Sequence, residues 1–339
     1  MATHVHAMAA REARGQLSSF EFSLPALGDG QIDIAVESCG VCHSDLSMLD
    51  NEWGMSGYPF VPGHEVIGTV AAVGPRVKQV SVGQRVGLGW YSASCMGCGQ
   101  CMGGDHNLCA TAEATIIGRH GGWATTVRCD EHWAIPLPAG VDAAKAGPLF
   151  CGGITIFNPL VQFDVRPTDR VGVIGIGGLG HLALKFLRAW GCEVTAFTSS
   201  ESKRDEALKL GAHHVVNSRD ATAVGKLGGA FDFILNTANA NFDWPALIMA
   251  LAPRGRLHTV GVVPDPMPVP SFPLLAAQRS VSGSPLGSPN TMKKMIDFAA
   301  RHGIAPQTET YKMSQANEAL EHLRAGKARY RIVLTNDLQ

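Results

Sequence analysis

Apolar and polar positions along the chain fall into two textures. Between about residue 20 and residue 150, short apolar runs are broken repeatedly by Gly and Pro. Gln31–Val36 alternates apolar and polar residues, the period of a strand with one buried face. Val66–Val73 and Arg85–Leu88 read as further strands bounded by turn residues. From about residue 151 strands and helices alternate. Arg170–Ile176 is a buried-strand run; Leu179, Leu182, Ala183, Phe186, Leu187 and Trp190 then recur at helical spacing until Gly191. Strands at Glu193–Thr198, His213–Val216, Phe231–Leu235 and Arg256–Val260, with a helix from Ser202 to Leu210, continue the series. This alternation predicts an α/β doubly wound parallel sheet. The Pro-rich stretch Pro264–Pro273 reads as a loop. Helices at Met292–Arg301 and Ser314–Arg324 and a strand at Tyr330–Leu334 close the chain.

At 339 residues two domains are expected. The 28 Lys and Arg against 29 Asp and Glu leave a net charge of −1, so no broad basic field exists for nucleic acid or an anionic membrane. Apolar stretches such as Val171–Gly180 fall well short of the ~20 residues that span a bilayer. Met1–Gly15 mixes His, Arg and Glu without an apolar signal core, so a cytoplasmic enzyme with reduced thiols is expected.

Gly175-Ile-Gly-Gly-Leu-Gly180 follows a strand and opens a helix, the context that the dinucleotide fingerprint requires. Gly175 permits the tight turn, Gly177 lets a pyrophosphate approach the backbone, and Gly180 packs the helix on the sheet; Gly178 and Leu179 complete the loop. The helix N-terminus favours an anion. An NAD site usually carries an acid ~20 residues further on. Here the second strand ends in Ser199 and Ser200, with Lys203 and Arg204 just beyond, a set suited to the 2′-phosphate of NADP. The same serines are also candidates to cap the next helix, with Ser202 and Asp205 as a capping box.

Nine Cys residues are clustered unevenly. Cys95, Cys98, Cys101 and Cys109 occupy one short lobe, and four thiolates satisfy tetrahedral zinc with no open position. Iron–sulfur spacing starts alike but has its fourth Cys three residues on, followed by Pro; here Ala110 follows Cys109. Cys42-His-Ser-Asp45, Gly63-His-Glu65 and Cys151 form a second, dispersed set that spacing alone does not unite. Cys151 by itself reads as a core thiol.

In this order, Gly40-Val-Cys-His-Ser-Asp45, Pro62-Gly-His-Glu65, the four-cysteine lobe, Cys151-Gly-Gly-Ile-Thr155 and the glycine fingerprint resemble the zinc-dependent medium-chain alcohol dehydrogenases, nearest to the cinnamyl-alcohol-dehydrogenase-like branch with its bacterial aldehyde reductases. The resemblance implies a GroES-like, β-rich catalytic domain (1–151 and 289–339, with a zinc lobe at about 92–110) around a Rossmann NADP-binding domain (152–288). It implies two zinc ions per chain. Cys42, His64 and Cys151 match the catalytic ligands, and Glu65 an acid that ligates in some members. Asp45 matches the acid behind the ligand His, and Ser44 the residue passing a proton between alcohol and cofactor ribose. His43 matches a pyrophosphate neighbour, Thr155 a nicotinamide neighbour, and Gly261 and Val262 the carboxamide site. Trp53, Trp90 and Leu286 match substrate-pocket positions, with ordinary core packing as the other reading. Ser47 stands where relatives often carry the outer His of the proton path.

The resemblance implies hydride transfer between NADP(H) and an apolar or aromatic alcohol or aldehyde, and a homodimer through the edge of the Rossmann sheet. Polyol or sugar oxidation, and a non-catalytic zinc protein sensing nucleotide redox state, are the rival readings.

Overall fold

The computed structural model describes residues 2–339 (of residue 201, the backbone alone). The chain divides into two compact units, one running to Ile154 and resuming at Leu286–Gln339, the other Thr155–Pro285.

The first unit is built on a seven-stranded sheet. Its order is Thr308–Lys312, Arg331–Thr335, Gln31–Val41, Val66–Val73, Arg85–Leu88 and Ile135–Pro136, with Thr126–Asp130 also paired to Gln31–Val41. Gln31–Val41 is the organising strand. Its first half pairs with Thr126–Asp130 and its last residues with the C-terminal strand, Ile332 standing opposite Val41. Register shifts at Asp33/Ile34 and Val36/Ser38 bend it between these partners. The strand is therefore five residues longer than its alternating segment, because past the exposed Glu37 the run Ser38–Val41 is buried on both faces and shows no period of two. Val5, Ile32, Ile34, Phe60, Trp123 and Leu334 belong to one core.

An N-terminal antiparallel pair, Thr3–Ala9 with Ser18–Leu24, was absent from the sequence reading. Phe20, Phe22 and Leu24 alternate with polar residues along its second strand, and all three pack on that core.

The second unit holds six parallel strands in the order His214–Asn217, Glu193–Thr198, Arg170–Ile174, Phe231–Asn236, Leu251–Thr259 and Ser280–Gly283. The strand order reverses between Arg170–Ile174 and Phe231–Asn236, the switch point beyond whose strand ends such sheets take ligands. The helix Gly180–Trp190 buries Leu182, Ala183, Phe186 and Leu187 and ends at Gly191, whose φ is +106°. The strand expected at Arg256–Val260 begins earlier, at Leu251, and two expectations about helices change. The helix placed at Ser202 begins at Arg204, after a 3₁₀ turn over Glu201–Lys203. The Pro-rich loop ends inside a helix, Ser271–Ala277, because Pro270 precedes it and Pro273 lies in its first turn, where a missing N–H costs nothing.

Candidate active site

The first functional turn is assembled by a carboxylate. Cys42 precedes the helix His43–Leu49, and Asp45 lies in its first turn. Asp45 Oδ2 accepts from the Cys42 amide at 2.9 Å, satisfying an N-terminal donor that the helix itself cannot. Asp45 Oδ1 accepts from the Gly63 amide at 2.9 Å and lies 2.9 Å from His64 Nδ1. Gly63 has φ +103°, and a Cβ there would meet Trp123 Cδ1 at 2.4 Å, so this turn admits glycine alone. One buried carboxylate thus ties the Cys42 and His64 motifs together.

His64 is wholly buried, and with Nδ1 on Asp45 its Nε2 has no partner. A buried ring nitrogen left this way needs an explanation. Cys42 Sγ lies 3.9 Å from Cys151 Sγ, and one donor atom from each of Cys42, His64, Glu65 and Cys151 falls within 4.8 Å of the others. Two thiolates on tetrahedral zinc stand about 3.8 Å apart, given Zn–S bonds near 2.3 Å, whereas a disulfide would need about 2 Å. The donor set fits zinc.

Electrostatics agree. The hydrogen bond from Cys151 pulls Cys42 well below the usual thiol range against the effect of burial, with Arg331 and His64 adding to it. Cys151 is pushed up by that same bond and by burial. Burial would lower His64, but Asp45 and Cys42 raise it well above the ordinary imidazole value. The cluster gathers negative charge around a centre that a proton or a cation must neutralise, and a metal ion there would displace the protons.

Glu65 introduces a residue that the sequence reading missed. Arg331 Nη2 donates to Glu65 Oε1 within a buried pair, while Glu65 Oε2 and Arg331 Nε have no partner. Burial raises the Glu65 carboxyl to about 7, opposed by Arg331. A Cβ on Gly40 would lie 1.9 Å from Glu65 Oε2, so the glycine of the Cys42 motif makes room for this acid. The pairing of the C-terminal strand beside Val41 delivers Arg331 to the site. A lone Arg heading the otherwise apolar run Ile332–Leu334 was the available signal, since a buried guanidinium demands an acid.

Trp90 meets the His64 ring edge-on at 4.9 Å, and Trp53 meets Trp90 at 6.2 Å, both half-buried. Ser44 Oγ lies 3.7 Å from Cys42 Sγ; His43 is exposed. Leu286 is half-buried at the start of the returning segment.

In the lobe, Cys95 and Cys101 sulfurs stand 3.9 Å apart, and all four donors lie within 4.8 Å of one another. The Cys98 amide donates to Cys95 Sγ at 3.2 Å, and hydrogen bonds from Thr111 and from backbone amides lower Cys109 to about 6. These four thiols also match a tetrahedral edge and fit zinc.

The second unit carries the glycine loop. Gly175 has φ +85°; a Cβ on Gly180 would lie 1.9 Å from Gly175 O; one on Gly177 would meet nothing within 4 Å, leaving the backbone open to a ligand. Lys203 Nζ donates to Ile176 O at 3.2 Å, so its stem reaches back from the second strand to this loop. Ser200 Oγ pairs with Ser202 Oγ at 2.6 Å, and the helix at Arg204 has no side-chain cap, which removes the proposed capping box. Ser199 is exposed, and Arg204 Nη1 donates to Val215 O at 3.4 Å. A pocket of about 220 Å³ is lined by Phe197, Val224, Phe242, Leu247, Ser218 and Arg219, none of which the sequence reading singled out. Thr155 is half-buried, Gly261 packs against Ala238, and the Val262 amide donates to Asn239 Oδ1 at 2.8 Å.

Residues 28–139 match the alcohol dehydrogenase GroES-like domain, and residues 178–301 the zinc-binding dehydrogenase model. The chain is 56% identical over 332 residues to the aldehyde reductase AdhA of Synechocystis sp., covering 98% of this chain and 99% of that protein. The solved cinnamyl alcohol dehydrogenase SbCAD4 of Sorghum bicolor superposes with a TM-score of 0.93 at 35% identity, covering 98% of each chain. That of Helicobacter pylori, solved with NADP(H), gives 0.90 at 29% identity over 99% of each. With a GroES-like unit, a Rossmann unit and these relatives along its whole length, the chain belongs to the zinc-binding alcohol dehydrogenase family.

Proposed function

We propose that the protein interconverts aldehydes and primary alcohols with NADP(H), acting chiefly as a reductase of apolar or aromatic aldehydes. The observation that carries this reading is the buried, unpartnered His64 Nε2 facing the Cys42 and Cys151 thiols, with Asp45 fixed behind it. Cys42, His64 and Cys151 would hold a catalytic zinc, with Glu65 an occasional ligand, and Cys95, Cys98, Cys101 and Cys109 a structural one. Bound zinc supplies a Lewis acid beside an open fourth position, and the bound nicotinamide supplies or accepts the hydride.

The chain's own groups do the rest. Asp45 keeps the His64 proton on Nδ1 and so presents Nε2 as a donor of electrons. Ser44 Oγ moves the proton to or from the substrate oxygen. Trp90 and Trp53 wall the space beside His64 with aromatic surface, which favours apolar or aromatic substrates over polyols. Gly177 opens the loop to the pyrophosphate, with His43, Gly178 and Leu179 beside it. Thr155, Gly261 and Val262 serve the nicotinamide end. Ser199, Ser200, Lys203 and Arg204 would hold the 2′-phosphate, and the carboxylate-free strand end supports that preference.

A homodimer accounts for a further feature. Ser280–Gly283 ends its sheet, and the neighbouring helix Ser271–Ala277 buries none of its residues while Phe272 and Leu275 are 78% and 77% exposed.

Metal analysis and steady-state kinetics on a panel of aromatic aldehydes, aliphatic aldehydes and polyols, with NADPH and NADH, test the reading. Near two zinc ions per chain and NADPH-dependent aldehyde turnover are expected. Preferred oxidation of polyols with NAD would overturn it.

A further inference from the structure

A third cluster of metal-binding side chains lies on the N-terminal strand pair. His4 and His6 are two residues apart on Thr3–Ala9, so both project from one face. Glu21 stands directly opposite His6 on the partner strand. His4 Nε2 lies 3.3 Å from Glu21 Oε2, and His6 Nδ1 lies 3.5 Å from Glu21 Oε1. The two imidazoles meet edge-on at 4.8 Å. One donor atom from each of the three falls within 4.8 Å of the others.

We propose that His4, His6 and Glu21 form a third divalent-metal site, exchangeable and independent of the two zinc sets, for a borderline ion such as Zn²⁺ or Ni²⁺. Geometry supports it first. Imidazole and carboxylate donors bond zinc at about 2.0–2.2 Å, which puts neighbouring donors on a tetrahedron about 3.4 Å apart. The two distances from the carboxylate to the rings match that edge, so small side-chain rotations admit an ion. Backbone rigidity is the second support. His6 donates from its amide to Thr125 Oγ1 at 3.1 Å and accepts from the Thr125 amide at 2.8 Å. All seven residues of its strand are paired with Ser18–Leu24. The donors are thus held together before any ion arrives.

Donor chemistry selects the class of ion. Two imidazoles with one carboxylate suit zinc, nickel and copper, while magnesium and calcium prefer oxygen alone. His4 and Glu21 are both more than half exposed, so the remaining coordination positions face solvent and the ion exchanges freely. The competing account is an ordinary ion pair between Glu21 and protonated imidazoles, which needs no metal.

The full-length, zinc-loaded protein is titrated with Ni²⁺ by isothermal calorimetry near neutral pH, with metal content measured in parallel. Wild type should bind one equivalent beyond its retained zinc. The His4→Gln/His6→Gln protein should lose that equivalent, and Glu21→Gln should weaken it, with aldehyde turnover unchanged in both. His4→Gln alone, at the more exposed position, gives the same readout should the double variant fold poorly. No extra equivalent in wild type, or one that persists in the histidine variants, overturns the proposal.

Discussion

Asp45 stands behind His64, with Oδ1 2.9 Å from Nδ1 and neither side chain exposed. The same carboxylate also holds the Cys42 and Gly63 amides, so it determines both where the Cys42 and His64 motifs meet and which imidazole nitrogen is left open. Asp45→Asn preserves the shape but removes the charge and scrambles the donors. Zinc retention against a competing chelator should fall by about 10- to 100-fold, with kcat falling alongside. Unaltered retention would show that Asp45 only caps its helix.

The Glu65–Arg331 pair joins positions 266 residues apart and is almost fully buried. Arg331→Met strands a buried acid, and the expected loss of stability is about 3–5 kcal/mol by urea unfolding. Replacing both, as Glu65→Gln/Arg331→Met, should recover much of it, because no uncompensated charge remains. Additive losses would mean that the two act separately.

Removing one lobe thiol and one thiol of the Cys42–His64–Cys151 cluster should have different consequences. Cys98→Ser breaks a four-thiol set at which a structural zinc would contribute folding free energy, so solubility and melting temperature should drop. Cys42→Ser should abolish turnover yet leave a folded protein. A stable, active Cys98→Ser enzyme with full zinc content would remove the structural role.

Lys203 reaches the glycine loop, and the helix after it lacks a side-chain cap. Lys203→Ala should therefore raise KM for NADPH by roughly 10- to 150-fold, the equivalent of about 1.5–3 kcal/mol for a charge-assisted contact. Its kcat should stay near wild type, because the 2′-phosphate is remote from the reacting carbon. NADH kinetics should hardly change, and Ser199→Asp should invert the preference. Equal losses with both nucleotides would refute NADP selectivity at this strand end.

His258 links Leu251–Thr259 to the edge strand, its ring nitrogens 2.9 Å from Ser282 Oγ and 3.0 Å from Ser284 Oγ. Burial, with Arg256 adding, pushes this imidazole down from 6.5 to about 4. The folded state thus resists a proton that the unfolded state accepts. The stabilisation is fully present above about pH 6.5 and is lost as the pH falls through 4, amounting to about 3 kcal/mol at most. His258→Gln should flatten the fall in stability between about pH 6.5 and pH 4 relative to wild type. Parallel curves would place the acid sensitivity elsewhere.

Much of this was legible in the order of residues, and the reason is locality. Val66–Val73, Arg85–Leu88 and Glu193–Thr198 begin and end where their apolar periods do. The glycine loop is a strand–turn–helix whose requirements are met within six residues. The four-cysteine lobe carries all its donors in fifteen. Cys42, His64 and Cys151 became a set only through resemblance, since spacing could not unite residues 109 apart.

Tertiary structure alone decided what long-range pairing controls. Apolar period reports that a position is buried but not what it meets, so Arg331 read as part of a strand until antiparallel pairing brought it to Glu65. His4, His6 and Glu21 met through the register of a hairpin whose turn carried no strong signal. The helix at Arg204 likewise began two residues late, because Ser200 bonds Ser202 in place of the helix amides. Local chemistry determined the elements and the four-cysteine lobe; register, set by burial over the whole sheet, determined the partners.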